Sequence, residues 1–137
     1  MVETSCTELG NLYGNGLYFS DVVSKAALRC QASRSKPFGY LMVYQVYTGL
    51  EYKISRTKVF KRPPDGFHSV KGVGRHAPEQ VHGYNGAEYL GGEPVKNMEE
   101  ITELRVKQSS LNHNEYVVYD HAQVKPVFLA KVVFHFK

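Results

Sequence analysis

The feature that most constrains this chain is a run of aromatic and aliphatic residues that begins at Tyr40 and ends at Tyr47. Such side chains favour β-strands, and the run is too continuous for a surface strand with one solvated face, so it predicts a central strand. Glu51 to Ile54 and Glu115 to Tyr119 predict shorter strands, and residues 127–136 alternate between two faces as a final strand does. The chain is therefore expected to form a mostly antiparallel sheet.

One main helix is predicted from about Ser20 to about Ala32. Ser20 and Asp21 suit an N-cap and first turn. Apolar residues then recur at the spacing of one helical face, namely Val22, Val23, Ala26, Ala27 and Cys30. A chain of 137 residues has room for one domain, 1–137, with its own core. A sheet with one main helix predicts the α+β class.

Little regular structure is expected between Phe67 and Gln108. This region contains many glycines, together with prolines at 78 and 94, which interrupt helices and strands. Just before it, Pro63-Pro64-Asp65-Gly66 predicts a turn. We therefore expect long surface loops, which in compact domains are more often functional than decorative, with disorder as the open alternative.

Composition and charge limit the classes of function. The chain has no apolar run long enough to span a membrane and no secretory signal, which predicts a soluble intracellular protein without a membrane partner. The net charge of +4 is densest between Arg56 and Arg62, but no nucleic-acid recognition motif accompanies it, so a solvated loop is favoured. Cys6 and Cys30 are too few for a disulfide scaffold and are expected to be free thiols.

Two short segments carry residues that are suited to chemistry. Tyr18 follows Gly14 and Gly16, whose backbone can bend sharply, and Glu115 is a lone carboxylate on an otherwise apolar and aromatic strand. Burial of a charge is costly unless the charge is used, so the two segments together indicate a site. Taken separately, Tyr18 fits a packed core position and Glu115 fits an edge-strand residue that discourages aggregation.

Other kinds of site are disfavoured. His68, His76 and His82 match no standard zinc spacing and have no cysteine nearby, so we interpret them as loop histidines rather than metal ligands. The chain lacks the glycine-flanked serine elbow of a hydrolase and the glycine motifs that hold dinucleotides or phosphates.

Four segments, in one order along the chain, resemble a known family. They are Gly14-Asn15-Gly16-Leu17-Tyr18-Phe19 with Ser24-Lys25, then His68-Ser69-Val70-Lys71-Gly72, then Asn114-Glu115-Tyr116-Val117-Val118-Tyr119, and finally Phe134-His135-Phe136-Lys137. Together they resemble the C-terminal half of a poly(ADP-ribose) polymerase catalytic domain, nearest the DNA-damage-responsive branch. Their common order argues against coincidence.

The resemblance implies an ADP-ribosyltransferase fold and a glycosyltransferase reaction, in which ADP-ribose passes from NAD to a protein acceptor and nicotinamide is released. Glu115 would be the catalytic carboxylate, because positive charge builds on the ribose as nicotinamide leaves. Lys25 would lie beside the pyrophosphate or the acceptor, and Tyr18 would present its ring to nicotinamide. The resemblance also assigns Gly16, Phe19, Ser24, Ala26 and Arg29 to the NAD site.

The chain departs from the family pattern in ways that favour an alternative. Ala26 stands where relatives have a serine that binds the carboxamide, and Arg29 stands where they have a second aromatic wall; a guanidinium against the cationic nicotinamide is expected to weaken binding. His113 replaces an aromatic residue near the acceptor side. The alternative function is a catalytically inactive structural or interaction subunit.

Partners and location follow from the same resemblance. The front half of the family's domain, with the histidine-glycine motif that grips NAD, has no counterpart in these residues, so a companion chain or a missing N-terminal half is expected to complete the pocket. The resemblance further implies a nuclear location and only indirect contact with nucleic acid.

Overall fold

A computed structural model of the protein describes residues 2–3, 12–84 and 87–137. The strands in these ranges are β1 (Val2–Glu3), β2 (Leu17–Ser20), β3 (Phe38–Val46), β4 (Glu51–Ile54), β5 (Ser69–Gly72), β6 (Gly74–Tyr84), β7 (Ala87–Lys96), β8 (Leu111–His113), β9 (Glu115–Val118) and β10 (Val124–Val133). The helices are α1 (Val23–Ala27), which continues into a 3-10 turn at Leu28–Cys30, and α2 (Met98–Glu103), with a further 3-10 turn at His121–Gln123.

Most of the strands belong to one sheet. Its seven strands lie in the order β10-β3-β1-β2-β9-β5-β4, and neighbours pair antiparallel except β4 and β5, which are parallel. A smaller sheet has the order β7-β6-β8, in which β6 and β8 are parallel. The predicted α+β class with a mostly antiparallel sheet is confirmed.

Strand β3, formed by the aromatic and aliphatic run, lies inside the main sheet between β10 and β1, as predicted. Each of its faces is packed only in part: Tyr44 and Val46, on the face of Tyr40, contact the buried cluster that contains Phe19. Leu41 is only 5% exposed because Ala26 of α1 packs against it, whereas Tyr40, on the other face, is 56% exposed. The final strand is also shifted, since β10 begins at Val124 and ends at Val133, before Phe134.

The predicted helix is shorter than its apolar pattern suggested. Ser20 ends β2 instead of capping a helix, and its Oγ accepts a hydrogen bond from the Val22 N–H at 3.1 Å. The helical turns end at Gln31, whose φ of 50° is left-handed. Pairing of Ser20 with Val2 of β1 therefore overrides the local capping signal, because a residue in a sheet ladder is not free to begin a helix.

The expectation of irregular loops between Phe67 and Gln108 is wrong. The region contains β5, α2 and a long hairpin of β6 and β7. The two prolines that predict an interruption of regular structure are Pro78 and Pro94. They pair with each other across this hairpin, and the register of the two strands shifts between Pro78 and Gln80. A bulge lets proline occupy a strand, which a count of glycines and prolines does not reveal.

The predictions for the turn at residues 63–66 and for Cys30 are confirmed. The turn before this region is confirmed, because the Phe67 N–H donates to Pro64 O at 3.0 Å and Gly66 has a φ of +85°. Cys30 is a free thiol, and Cys6 lies outside the described residues. No helix within the described ranges is long and apolar enough to cross a membrane.

The hydrophobic core lies on both faces of the main sheet. Buried residues on one face are Tyr13, Tyr18, Val70 and Val117, and those on the other are Phe19, Tyr116 and Val118. Residues on one strand alternate between these clusters because successive side chains of a strand point to opposite faces. This alternation decides which candidate residues can meet.

Candidate active site

Tyr18 and Glu115 lie on the same face of the main sheet. Tyr18 on β2 is directly opposite Val117 on β9, so their side chains share a face. Glu115 precedes Val117 by two positions on the same strand and therefore points to that face as well. Two segments that are far apart in sequence thus converge, as the resemblance implied.

The glycine turn before β2 determines where Tyr18 lies. Gly14 has a φ of +95°, and a Cβ there would collide with the Phe60 carbonyl, so only glycine fits without strain. A Cβ on Gly16 would meet Val117 Cγ1 and Val118 O of β9. The turn then holds the tyrosine by its hydroxyl, which donates to Gly14 O at 2.7 Å.

Tyr18 is otherwise enclosed by the chain. Its hydroxyl accepts a hydrogen bond from the Tyr13 N–H at 3.0 Å, and the residue is 7% exposed. Burial is the main cause that raises the pKa of Tyr18, the Tyr13 N–H opposes it, and the nearby Glu115 charge adds to it. The hydroxyl is thus occupied within the protein, which leaves the ring as the group that could contact a ligand.

Lys25 and Glu115 form an ion pair. The Lys25 ammonium lies 3.0 Å from Glu115 Oε2, and the side chains are 20% and 10% exposed. The same ammonium donates to Asn114 O at 2.9 Å. Helix α1 supplies the lysine because it follows β2 directly, and β2 is the neighbour of the strand that begins at Glu115. A carboxylate and an ammonium so arranged can stabilise charge on a bound molecule.

Tyr13 is a further group in the cluster on this face. It is completely buried, and its hydroxyl has no hydrogen-bond partner among the described residues. Burial, then the charge of Glu115, then Tyr18 raise the pKa of Tyr13 well above its usual value. A Cβ on Gly72, which faces Glu115 across β5 and β9, would collide with this hydroxyl. Glycine at this position therefore makes room for a neutral phenol beside the carboxylate.

The remaining predicted NAD-site residues are dispersed. Phe19 points to the opposite face, where its ring meets that of Tyr44 edge-on at 5.4 Å. Ser24 and Arg29 are exposed. Ala26 is completely buried against Leu41, so its methyl group is part of a packed apolar cluster. Of the residues assigned by resemblance, Lys25 and Glu115 are in direct contact, and Tyr18 shares their face.

The prediction of loop histidines holds only in part. His68 precedes β5, and its Nδ1 accepts from the Leu50 N–H at 3.0 Å, but His76 and His82 lie on β6. Within the described ranges, no group of three or more His, Cys, Asp and Glu residues could hold a metal ion. His113 lies beside His76, with ring centroids 6.0 Å apart. Burial, then Lys25, then His76 lower the pKa of His113, which favours a neutral ring beside the ion pair.

Sequence reasoning missed a polar group behind this site. Asn114 is 1% exposed, and its Nδ2 donates to Asp21 Oδ2 at 2.8 Å, while the Tyr116 hydroxyl donates to the same oxygen at 3.1 Å. Burial, followed by Asp21, raises the pKa of Tyr116 far above its usual value. The only signal in the sequence was an asparagine that directly precedes a predicted buried strand.

Comparisons with known proteins identify the family of the chain. The family model described as the poly(ADP-ribose) polymerase catalytic domain matches residues 2–134. The chain is 38% identical over 134 residues to poly(ADP-ribose) polymerase 1 of Arabidopsis thaliana, an alignment that covers 93% of this chain and 13% of that protein.

Animal proteins give a similar result. Identity is 36% over 128 residues to poly(ADP-ribose) polymerase 1 of Xenopus laevis, with 93% of this chain and 12% of that protein covered. It is 35% over 130 residues to poly(ADP-ribose) polymerase 2 of Homo sapiens, with 93% and 22% covered. The chain therefore spans only a minor part of the length of the curated relatives it matches.

Proposed function

Because the chain belongs to the poly(ADP-ribose) polymerase catalytic domain family, we propose that it supplies part of an NAD-dependent protein ADP-ribosyltransferase centre. NAD is the substrate that donates ADP-ribose, a protein is the acceptor, and nicotinamide is the leaving group. The observation that carries the proposal is the convergence of Glu115, Lys25 and Tyr18 on one face of the sheet.

The reaction breaks the bond between the ribose C1 atom and the nicotinamide nitrogen. Positive charge builds on the ribose as this bond lengthens, and a fixed carboxylate such as Glu115 stabilises that charge. A nucleophilic oxygen of the acceptor then bonds to C1 and loses its proton. In this proposal Glu115 also accepts a hydrogen bond from a ribose or acceptor hydroxyl, and Lys25 offsets negative charge of the pyrophosphate or acceptor.

The residues present fit one side of an NAD site. A carboxylate suits ribose hydroxyls, an ammonium suits a pyrophosphate, and the Tyr18 ring suits a flat heteroaromatic group. The part of the site that would bind the nicotinamide carboxamide lacks a hydrogen-bonding group at position 26, because the buried methyl group of Ala26 offers no donor or acceptor. We propose that further residues, in a companion chain or elsewhere in a longer polypeptide, complete the pocket and the grip on NAD.

A second candidate is a catalytically inactive interaction subunit. The observations that favour it are Ala26, the exposed Arg29, and large apolar side chains left exposed on the edge strand β10. Phe128 and Leu129 on that strand are 56% and 57% exposed. These two side chains point to opposite faces of the strand, and exposed apolar groups on a sheet edge favour a contact with another protein or another part of the same one.

Transfer of labelled ADP-ribose separates these candidates. The chain, alone and within the longest polypeptide that its gene encodes, is incubated with labelled NAD and acceptor proteins. We expect label on protein with the natural sequence and at least a hundredfold less with Glu115→Gln, which keeps the shape but removes the charge. Glu99→Gln makes the same chemical change at an exposed position on α2 and should transfer normally. No label in any sample would remove the enzymatic proposal and leave the interaction subunit.

A nuclear location is part of the same proposal. It is supported by family membership, and a fluorescent fusion of the full-length gene product tests it directly.

A further inference from the structure

Asn114 ties together three segments of the chain behind the candidate site. Its Nδ2 donates to Asp21 Oδ2 at 2.8 Å, in the connection between β2 and α1. Its Oδ1 accepts from the Gly74 N–H at 2.8 Å, at the start of β6, and from Asn97 Nδ2 at 3.4 Å, just before α2. Every side-chain polar atom of a residue that is 1% exposed is therefore used.

The main chain of the same residue contacts the ion pair. Asn114 O accepts from the Lys25 ammonium at 2.9 Å, and the same ammonium lies 3.0 Å from Glu115 Oε2. Lys25 is on α1, which Asp21 precedes by a few residues. The Asp21–Asn114 hydrogen bond thus fixes α1, which carries the ammonium, to the strand that carries the carboxylate.

Asp21 has other contacts that suit an anchor. Its Oδ2 also accepts from the Tyr116 hydroxyl at 3.1 Å, so this carboxylate is held by Tyr116 on β9 and by Asn114 just before that strand. Hydrogen bonds between a buried amide and a carboxylate are stronger and more directional than neutral ones. Their loss would release α1 from β9 without removing any group that faces the site.

From this geometry we infer that Asp21 and Asn114 are positioning residues, which hold the Lys25 ammonium against Glu115 through one partly buried hydrogen bond. The consequence for ADP-ribosyl transfer rests on the proposed function, whereas the structural claim does not. Small displacements of catalytic groups cost about tenfold to a hundredfold in rate, so the anchor matters if the centre is active.

A donor–acceptor swap isolates this hydrogen bond. Asn114→Asp keeps the size of the side chain and its Oδ1, but it sets two carboxylates against each other where the amide met Asp21. The double variant Asp21→Asn with Asn114→Asp reverses donor and acceptor and restores the bond. Asp21→Ala removes the carboxylate that accepts this hydrogen bond and adds no charge. This variant replaces Asn114→Asp in the experiment if Asn114→Asp does not fold.

The direct readout is the Lys25 ammonium in nitrogen-15 NMR spectra of the full chain. An ammonium held by two oxygen acceptors exchanges slowly with water and gives an observable signal, which is assigned by its loss in Lys25→Arg. Lys71 is an internal control for folding, because it is 2.8 Å from Glu100 on the opposite face of the sheet. The experiment needs no NAD and no activity.

We expect the Lys25 signal to broaden by at least fivefold or to vanish in Asn114→Asp and in Asp21→Ala. The signal should return in the double variant, and the Lys71 signal should persist in all variants. In an active preparation, kcat should fall about tenfold to a hundredfold in the single variants with KM changed less than threefold, and recover in the double variant. An unchanged Lys25 signal in folded single variants, or a double variant that does not restore it, would overturn the inference. Absence of transferase activity with this NMR pattern would contradict the proposed function alone.

Discussion

The Lys25 ammonium on α1 lies 3.0 Å from the Glu115 carboxylate at the first position of β9. The two residues belong to different segments of the four that resemble the family. Each neutralises the charge of the other, which would otherwise lie unpaired at a largely buried position. This relationship links the stability of the fold to the chemistry proposed for the site, and it can be tested in both respects.

Removal of one charge should destabilise the chain more than removal of both. Lys25→Met and Glu115→Gln should each lower the free energy of unfolding by about 1–3 kcal/mol, because a partly buried charged or polar group loses its partner. The double variant should cost less than the sum of the single variants. Urea unfolding of the four proteins gives the coupling energy, and strictly additive effects would show that the pair contributes nothing.

Gly14→Ala should be strongly destabilising, by about 3 kcal/mol. The residue has a φ of +95°, and the added Cβ would collide with the backbone carbonyl of Phe60, which cannot move as a side chain can. Gly83→Ala is the matched control, because no described atom lies within 4 Å of a Cβ there. It should change stability by about 0.5 kcal/mol or less. Thermal unfolding of both variants tests this prediction. Equal effects of the two substitutions would show that Gly14 does not lie tightly against the Phe60 carbonyl.

Tyr18→Phe separates the hydroxyl of this residue from its ring. Loss of the hydroxyl leaves the buried Tyr13 N–H without an acceptor, so stability should fall by about 1–3 kcal/mol. Tyr40→Phe, at a residue 56% exposed, should have almost no effect. Affinity for NAD, measured by calorimetry on a preparation that binds it, should change less than threefold in Tyr18→Phe. A larger loss would mean that the hydroxyl contacts the ligand.

Ala26→Ser with Arg29→Tyr tests whether the two departures weaken NAD binding. The serine supplies the hydrogen-bonding group that the resemblance assigns to this position, although Ala26 packs against Leu41 in this structure, and the tyrosine removes a positive charge that would oppose the cationic nicotinamide. We expect at least tenfold tighter NAD binding, at a cost of about 1 kcal/mol in stability because Ala26 is completely buried. Unchanged affinity would favour the interaction subunit.

The stability of the chain should depend on Glu100 at acid pH. Burial alone would raise the pKa of this carboxyl, but hydrogen bonds from Lys71, Asn97 and Lys53 hold it at about 2, below its ordinary value of 4.5. A depressed pKa contributes stability that is complete above the ordinary value and is lost as the pH falls towards 2. The difference between these two pKa values corresponds to at most about 3 kcal/mol of unfolding free energy.

Unfolding free energies measured between about pH 6 and about pH 2 should therefore decline less steeply in Glu100→Gln than in the natural sequence. Asp65→Asn is the control, because that side chain is 92% exposed and its variant should keep the natural slope. Identical slopes for all three proteins would show that Glu100 titrates normally.

Local patterns in the sequence were sufficient for several elements. The aromatic run predicted β3, and Glu51 to Ile54 predicted β4, because strand propensity and alternation are properties of neighbouring residues. They were not sufficient for the hairpin of β6 and β7, where Pro78 and Pro94 are accommodated by a bulge. Nor did they define the start of α1, since Ser20 pairs with β1 and so belongs to β2.

The sequence by itself determined the kind of residue available at the site, a lone carboxylate at Glu115 and a tyrosine that follows two glycines at Tyr18, and it carried the family resemblance. Only the tertiary structure decided that these groups share a face, that Lys25 neutralises Glu115, and that Asn114 joins them to Asp21. The physical reason is that strand register and long-range hydrogen bonds depend on which distant segments pair, and a pattern of neighbouring residues contains no record of that pairing.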